Sequence, residues 1–198
     1  MSIDEIRYRR LGYIALTVTD LEKSTHFYET LVGLKMDDEP EGERAFFRCS
    51  DRHHDLVIYR GSEPALKRVA WQMESDKALE AARQHFDELG IECIDVSSEE
   101  QADLGIGKAF RMSEPTTGVT FEFYSDMAPA PSAYETTHTN IARLGHLVLS
   151  SPDRNATEKF LLDEMNFRVS DRIDGMVTFM RCFPNPYHHS FGVGAAKN

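Results

Sequence analysis

His146 and His189 are the side chains here whose type and placement could do chemistry near neutral pH. Imidazole binds divalent transition metals and exchanges protons in that range. His146 lies in Arg143-Leu144-Gly145-His146-Leu147-Val148-Leu149-Ser150, which repeats Arg10-Leu11-Gly12-Tyr13-Ile14-Ala15-Leu16-Thr17. The offset of 133 persists through Phe27/Phe160, Asp38/Asp171 and Arg48-Cys49/Arg181-Cys182. After a two-residue insertion, His53-His54 returns as His188-His189. The chain therefore repeats a unit of about fifty residues. Where the first copy has Tyr13, the later copy has His146.

Other candidates read as structural. Glu122 follows Gly118 by four residues on a strand, but Tyr13, Trp71 and Gln72 offer it no imidazole, so it is expected to have a packing role. His26 and His85 fall on helices and His138 in a linker, all expected to be solvated. His53 and His54 follow the loop Ser50-Asp51-Arg52 and are expected at the surface. The acidic run Asp37-Asp38-Glu39-Pro40-Glu41 lacks the ordered ligand spacing of a calcium loop. Gly105-Ile106-Gly107 lacks the strand–turn–helix setting of a phosphate loop.

Three βαβββ-like units must position these residues. The first has a strand over 9–18, a helix capped by Asp20 and ended by Gly33, and strands at 43–48 and 55–59. The second has a strand over 69–74 and a helix over 77–89 with Leu79, Ala82, Phe86 and Leu89 at helical spacing. Its later strands are expected at 92–96, 107–112 and 119–124, the last two joined by the turn Glu114-Pro115-Thr116-Thr117-Gly118. The polar, proline-bearing stretch 127–140 reads as a linker. The third unit runs over 141–198, with a helix near 155–165 and strands near 176–183 and 188–193. The fold class is α+β: a pair of units over 1–126 forming an open barrel, then a third unit lacking its partner. Its inward face is expected to carry Leu147, Leu149, Phe179 and Phe191. His188 is expected to point away from His189, because side chains alternate along a strand.

The net charge of -11 argues against a nucleic-acid partner, which needs a basic face. No apolar run approaches the roughly 20 residues of a membrane span, and the N-terminus has no apolar signal core. Cys49, Cys93 and Cys182 are odd in number and lack CxxC spacing, which reads as reduced thiols and a cytoplasmic protein.

The segments Leu144-Gly145-His146-Leu147-Val148-Leu149 and Asn185-Pro186-Tyr187-His188-His189-Ser190-Phe191-Gly192-Val193 resemble the vicinal-oxygen-chelate superfamily (glyoxalase, bleomycin resistance, dioxygenase). Together with the Glu114–Gly118 turn and Phe121-Glu122-Phe123, they are most similar to type I extradiol catechol dioxygenases of the dihydroxybiphenyl type. That resemblance implies a metal-free first pair of units and a catalytic second pair. It implies Fe(II), with Mn(II) accepted by similar donors, held by two histidines and a glutamate. His146 matches the first metal ligand and His189 the acid–base histidine beside the metal. The remaining ligands have no match in this sequence, so the chain is expected to be truncated at its C-terminus and inactive by itself.

The implied reaction is extradiol cleavage of a catechol, of a biaryl or polycyclic kind, by O₂. A homo-oligomer is expected, formed through the unpaired third unit. Two alternatives stand beside this reading. One is a metal-free small-molecule-binding module of the same fold. The other is a glyoxalase-like lyase or isomerase, against which His189 counts by occupying the slot where those enzymes place a Glu.

Overall fold

A computed structural model describes residues 2–37 and 42–196. Eleven strands and four α-helices are described. β1 (Tyr8–Val18), α1 (Leu21–His26), β2 (Arg44–Phe47) and β3 (Leu56–Arg60) make the first repeat. β4 (Ala65–Met73), α2 (Asp76–Glu88), β5 (Ile94–Asp95), α3 (Ser98–Leu104), β6 (Ala109–Ser113) and β7 (Thr120–Tyr124) make the second. β8 (Leu147–Ser151), α4 (Arg154–Asp163), β9 (Phe167–Ile173), β10 (Val177–Cys182) and β11 (Phe191–Ala195) make the third. The strands form a seven-stranded sheet, ordered β2-β3-β1-β4-β7-β6-β5, and a four-stranded sheet, ordered β8-β11-β10-β9. The second and third repeats thus share one order of first, fourth, third and second strand.

Local chemistry explains the helix starts. Asp20, Ser75, Ser97 and Asp153 each accept a hydrogen bond from the amide three residues on, satisfying a donor that the first helical turn leaves open. Gly33, at φ 77°, ends the first helical segment in the left-handed conformation that glycine adopts at least cost. The expected single helix over 21–32 is instead an α-helix that widens to a π-helix over Phe27–Val32. Helix α3 was not foreseen. Its signal is present in the sequence: Ser97 precedes Glu100 by three residues, a capping pattern.

The chain groups into two compact units that differ from the expected segments 1–126, 127–140 and 141–198. One comprises 1–11, 71–126 and 145–198; the other comprises 12–70 and 127–144. In the former, Trp71 is the hub of an aromatic core. Its ring lies 5.1 Å from Phe167, 5.6 Å from Phe191, and 6.0 Å from Tyr8 and from Phe121, each in an edge-on arrangement. Edge-on packing sets the positive rim of one ring against the negative face of the next. Phe191 is therefore buried within the chain, contrary to the expected bare face. His85, expected to be solvated, bonds Glu164 at 2.9 Å, joining α2 to α4.

In the other unit, 127–144 is a strap rather than an unattached linker. Thr137 and Thr139 donate their hydroxyls to the carbonyls of Gly33 (2.5 Å) and Val32 (2.9 Å). These carbonyls sit at a helix end, where no further helical amide can reach them. Ser132 accepts from Lys35 and Arg48, and the Tyr134 amide donates to Asp51. Arg48, almost fully buried, is held by Asp37. The rest of the acidic run, Asp38–Glu41, lies outside the described residues. No helix among the described residues is long and apolar enough to cross a membrane.

Candidate functional site

The site is built on the four-stranded sheet. In register, Phe179 of β10 faces Gly192 of β11, and Gly192 faces Val148 of β8. Paired residues share a sheet face, so Phe179, Gly192 and Val148 lie on one side. Phe191, Val193, Leu147 and Leu149 lie on the other. The expected inward set of Leu147, Leu149, Phe179 and Phe191 therefore mixes two faces. Only Phe179 belongs to the open one, where Val148 is 48% exposed.

Gly192 gives this face its shape. A Cβ there would lie 3.1 Å from Val148 Cγ2 and 3.3 Å from Phe179 Cδ1. With only hydrogen at this position, the Phe179 ring can lie across the sheet. The glycine marks a close approach, which is its usual meaning inside a strand.

His146 directly precedes β8 and is exposed. His189 precedes β11 and is partly buried. Their ring centroids are 4.5 Å apart, and Phe179 lies 4.8 Å from His189. The two histidines singled out from sequence are thus brought together against one phenylalanine. Partial burial, then the neighbouring His146 and His188, hold the His189 pKa below the ordinary imidazole value. Each of these disfavours the charged form of His189.

His188 does not turn to the opposite face. Residues 187–190 lie outside any strand, with bends at Tyr187, His188 and Ser190, so strand alternation does not apply to them. His188 Nδ1 lies 2.9 Å from His189 Nδ1.

The first repeat holds the same arrangement with one substitution. Tyr13 is where His146 would be, 4.3 Å from His54, and Phe46 lies 5.0 Å from His54. His53 and His54 again meet Nδ1 to Nδ1 at 2.9 Å. His54 is fully buried, not a surface residue. Burial, followed by His53 and the cations Arg52, Arg68 and Arg44, pushes its pKa well down. The Tyr13 hydroxyl accepts from Arg68 Nε at 3.0 Å, and Arg68 also donates to Tyr59 at 2.9 Å. The Tyr13 hydroxyl is thus engaged by Arg68, and this copy is closed by its own hydrogen bonds.

Glu122 is fully buried and paired with Arg111 Nε at 2.7 Å. Arg111 is shared with Glu100 on α3. Glu122 therefore fills a salt-bridge role, as its lack of imidazole neighbours suggests. Cys49 and Cys182 are buried free thiols, each pushed up to about 12 chiefly by burial, and so not reactive thiolates. Among the described residues, no three His, Cys, Asp or Glu side chains are grouped to hold a metal ion. His146 and His189 alone do not fit a complete centre.

The chain is similar to known proteins over most of its length. The chain is 24% identical to an iron-dependent extradiol dioxygenase of Rhodococcus jostii, over 92% of this chain and 66% of that protein. It is 27% identical to a manganese-dependent 2,3-dihydroxybiphenyl 1,2-dioxygenase of Geobacillus genomosp. 3, over 93% and 62%. The fold matches the crystal structure of BphC, a halotolerant catechol dioxygenase, with a TM-score of 0.85 at 23% identity, over 96% of this chain and 65% of that one. The chain thus spans about two thirds of the length of the relatives it matches. The model of the Glyoxalase/Bleomycin resistance protein/Dioxygenase superfamily matches residues 10–123, and the chain belongs to that superfamily.

Proposed function

We propose that this chain carries part of the active site of an extradiol dioxygenase, which opens a catechol ring with O₂. The observation that carries the reading is the His146–His189 pair, set beside Phe179 on an open sheet face. His146 is the imidazole this chain would offer to a divalent metal, and His189 the acid–base group. The metal is Fe(II) or Mn(II), as the names of the two relatives suggest. When bound, such a metal would draw catechol oxygens and O₂ together. It needs donors beyond this pair, and no step is derived through it.

The chain's own residues have simpler tasks. Phe179 and Val148 offer an apolar floor to an aromatic ring, which favours a biaryl or polycyclic catechol. His189 takes up a hydroxyl proton and returns one later. Proton transfer of this kind contributes about 10²–10⁴-fold to a rate. The exposed Ile173 and Met176 of the third repeat support a homo-oligomer. Light scattering that finds only monomer would remove that part of the reading.

The test is aerobic incubation of the protein made from its full reading frame with Fe(II) or Mn(II) and 2,3-dihydroxybiphenyl. A yellow ring-fission product, with one O₂ consumed per catechol, is expected. No such product from any catechol with either metal overturns the proposal. A second reading, a metal-free binding module, is favoured by the first repeat, where Tyr13, bonded by Arg68, stands in the place of His146. Stoichiometric, tight iron binding by the 198-residue chain would exclude it.

A further inference from the structure

The His188–His189 contact is not used by the reaction as stated above, yet it is built twice. In both repeats two neighbouring histidines meet Nδ1 to Nδ1 at 2.9 Å. Two neutral imidazoles share one proton in such a contact. Either the first histidine donates and the second carries its own proton on Nε2, or the second donates and its Nε2 is bare.

The first repeat distinguishes these arrangements. His54 is fully buried, and its Nε2 has no hydrogen-bond partner. If His53 donated, His54 Nε2 would be a buried N–H with no acceptor. If His54 donates, Nε2 is an unmet acceptor. Buried donors without partners are the rarer and costlier of the two.

The third repeat reproduces the surroundings. Phe46 against His54 corresponds to Phe179 against His189, and Tyr13 to His146. The backbone bend that brings the two Nδ1 atoms together is the same device. We propose that His188 is a positioning residue for His189: it accepts the His189 Nδ1–H and so leaves His189 Nε2 bare, ready to take a proton. In that transfer a catechol O–H bond breaks, the electron pair stays on oxygen, and the proton forms the new Nε2–H bond. The transfer rests on the dioxygenase reading; the tautomer does not.

The experiment is long-range ¹H–¹⁵N spectroscopy of the imidazoles, at a pH well above the usual histidine value of about 6.5. In the unaltered protein His189 is expected as the Nδ1–H tautomer. His188→Phe keeps a ring but removes the acceptor, and should move His189 to the Nε2–H tautomer. His188→Asn restores an oxygen acceptor and should restore the first tautomer. His188 is exposed, so neither change disturbs a core. In the active protein, His188→Phe should lower kcat about tenfold with little change in KM, a fraction of the full proton-transfer contribution, and His188→Asn should recover most of it. An Nε2–H tautomer in the unaltered protein, or an unchanged tautomer in His188→Phe, overturns the inference. If the tautomer shifts as expected but no catechol is cleaved, the inference stands and the dioxygenase reading fails.

Discussion

His189 lies against His146 as His54 lies against Tyr13, at 4.5 Å and 4.3 Å between ring centroids. One residue type separates an open pair of imidazoles from a closed tyrosine–histidine pair. The duplicated unit therefore supplies its own control. The same bend, the same paired histidines and the same phenylalanine occur in both copies, and only the third repeat presents two imidazoles on an open face.

Tyr13→Phe tests the closed copy. It removes the acceptor of a buried guanidinium bond. A hydrogen bond to a charged group contributes about 1.5–3 kcal/mol. Denaturant unfolding should show a loss of that size. On the proposed reading the rate of ring fission should not change, because the proposed site lies in the third repeat.

His54 predicts a pH dependence of stability. Its folded pKa is depressed, so the unfolded chain binds a proton that the folded chain refuses. Stability is fully present above the unfolded value of about 6.5 and falls as pH drops below it, by about 1.4 kcal/mol per pH unit for one proton. Unfolding measured at pH 7 and pH 5.5 should show a loss of about 1.3 kcal/mol at the lower pH. His54→Phe should reduce this loss relative to the unaltered protein, whereas equal losses would mean that His54 is not held neutral.

Gly192→Val should force a side chain into the space beside Val148 and Phe179. Overfilling of this kind costs about 1–3 kcal/mol. The displaced Phe179 ring would also leave His189. Denaturation should show the loss of stability, and catechol turnover should fall further than that loss accounts for.

Trp71→Ala should remove the hub of the aromatic core formed with Tyr8, Phe121, Phe167 and Phe191. Large aromatic truncations in a core cost about 3–5 kcal/mol. Calorimetry of the variant should show a strongly lowered melting temperature. A melting temperature within a degree or two of the original would mean that the core is not built on this residue.

Much of this was legible in the sequence. The repeat offset placed His146 at the position of Tyr13 and paired His189 with His54, and the cap residue Asp20 marked a helix start. The failures have physical causes. Alternation misdirected His188 because residues 187–190 lie outside any strand. The faces of the four-stranded sheet were mixed because Leu147, Leu149 and Phe191 are as apolar as Phe179, and only register separates them. The strap escaped notice because its hydroxyls bond carbonyls about a hundred residues away, as with Thr137 and Gly33. His85 and His54 read as surface residues because their partners, Glu164 and Tyr13, are distant in sequence.

The central claim is that the third repeat's imidazole pair serves ring cleavage. The most direct measurement is the steady-state rate of 2,3-dihydroxybiphenyl cleavage by His146→Ala in the metal-loaded protein, compared with the unaltered protein. A fall of at least about a hundredfold is expected, the scale of losing a group that acts only at the reacting centre, with an unchanged melting temperature because His146 is exposed. Cleavage at the original rate would contradict the account.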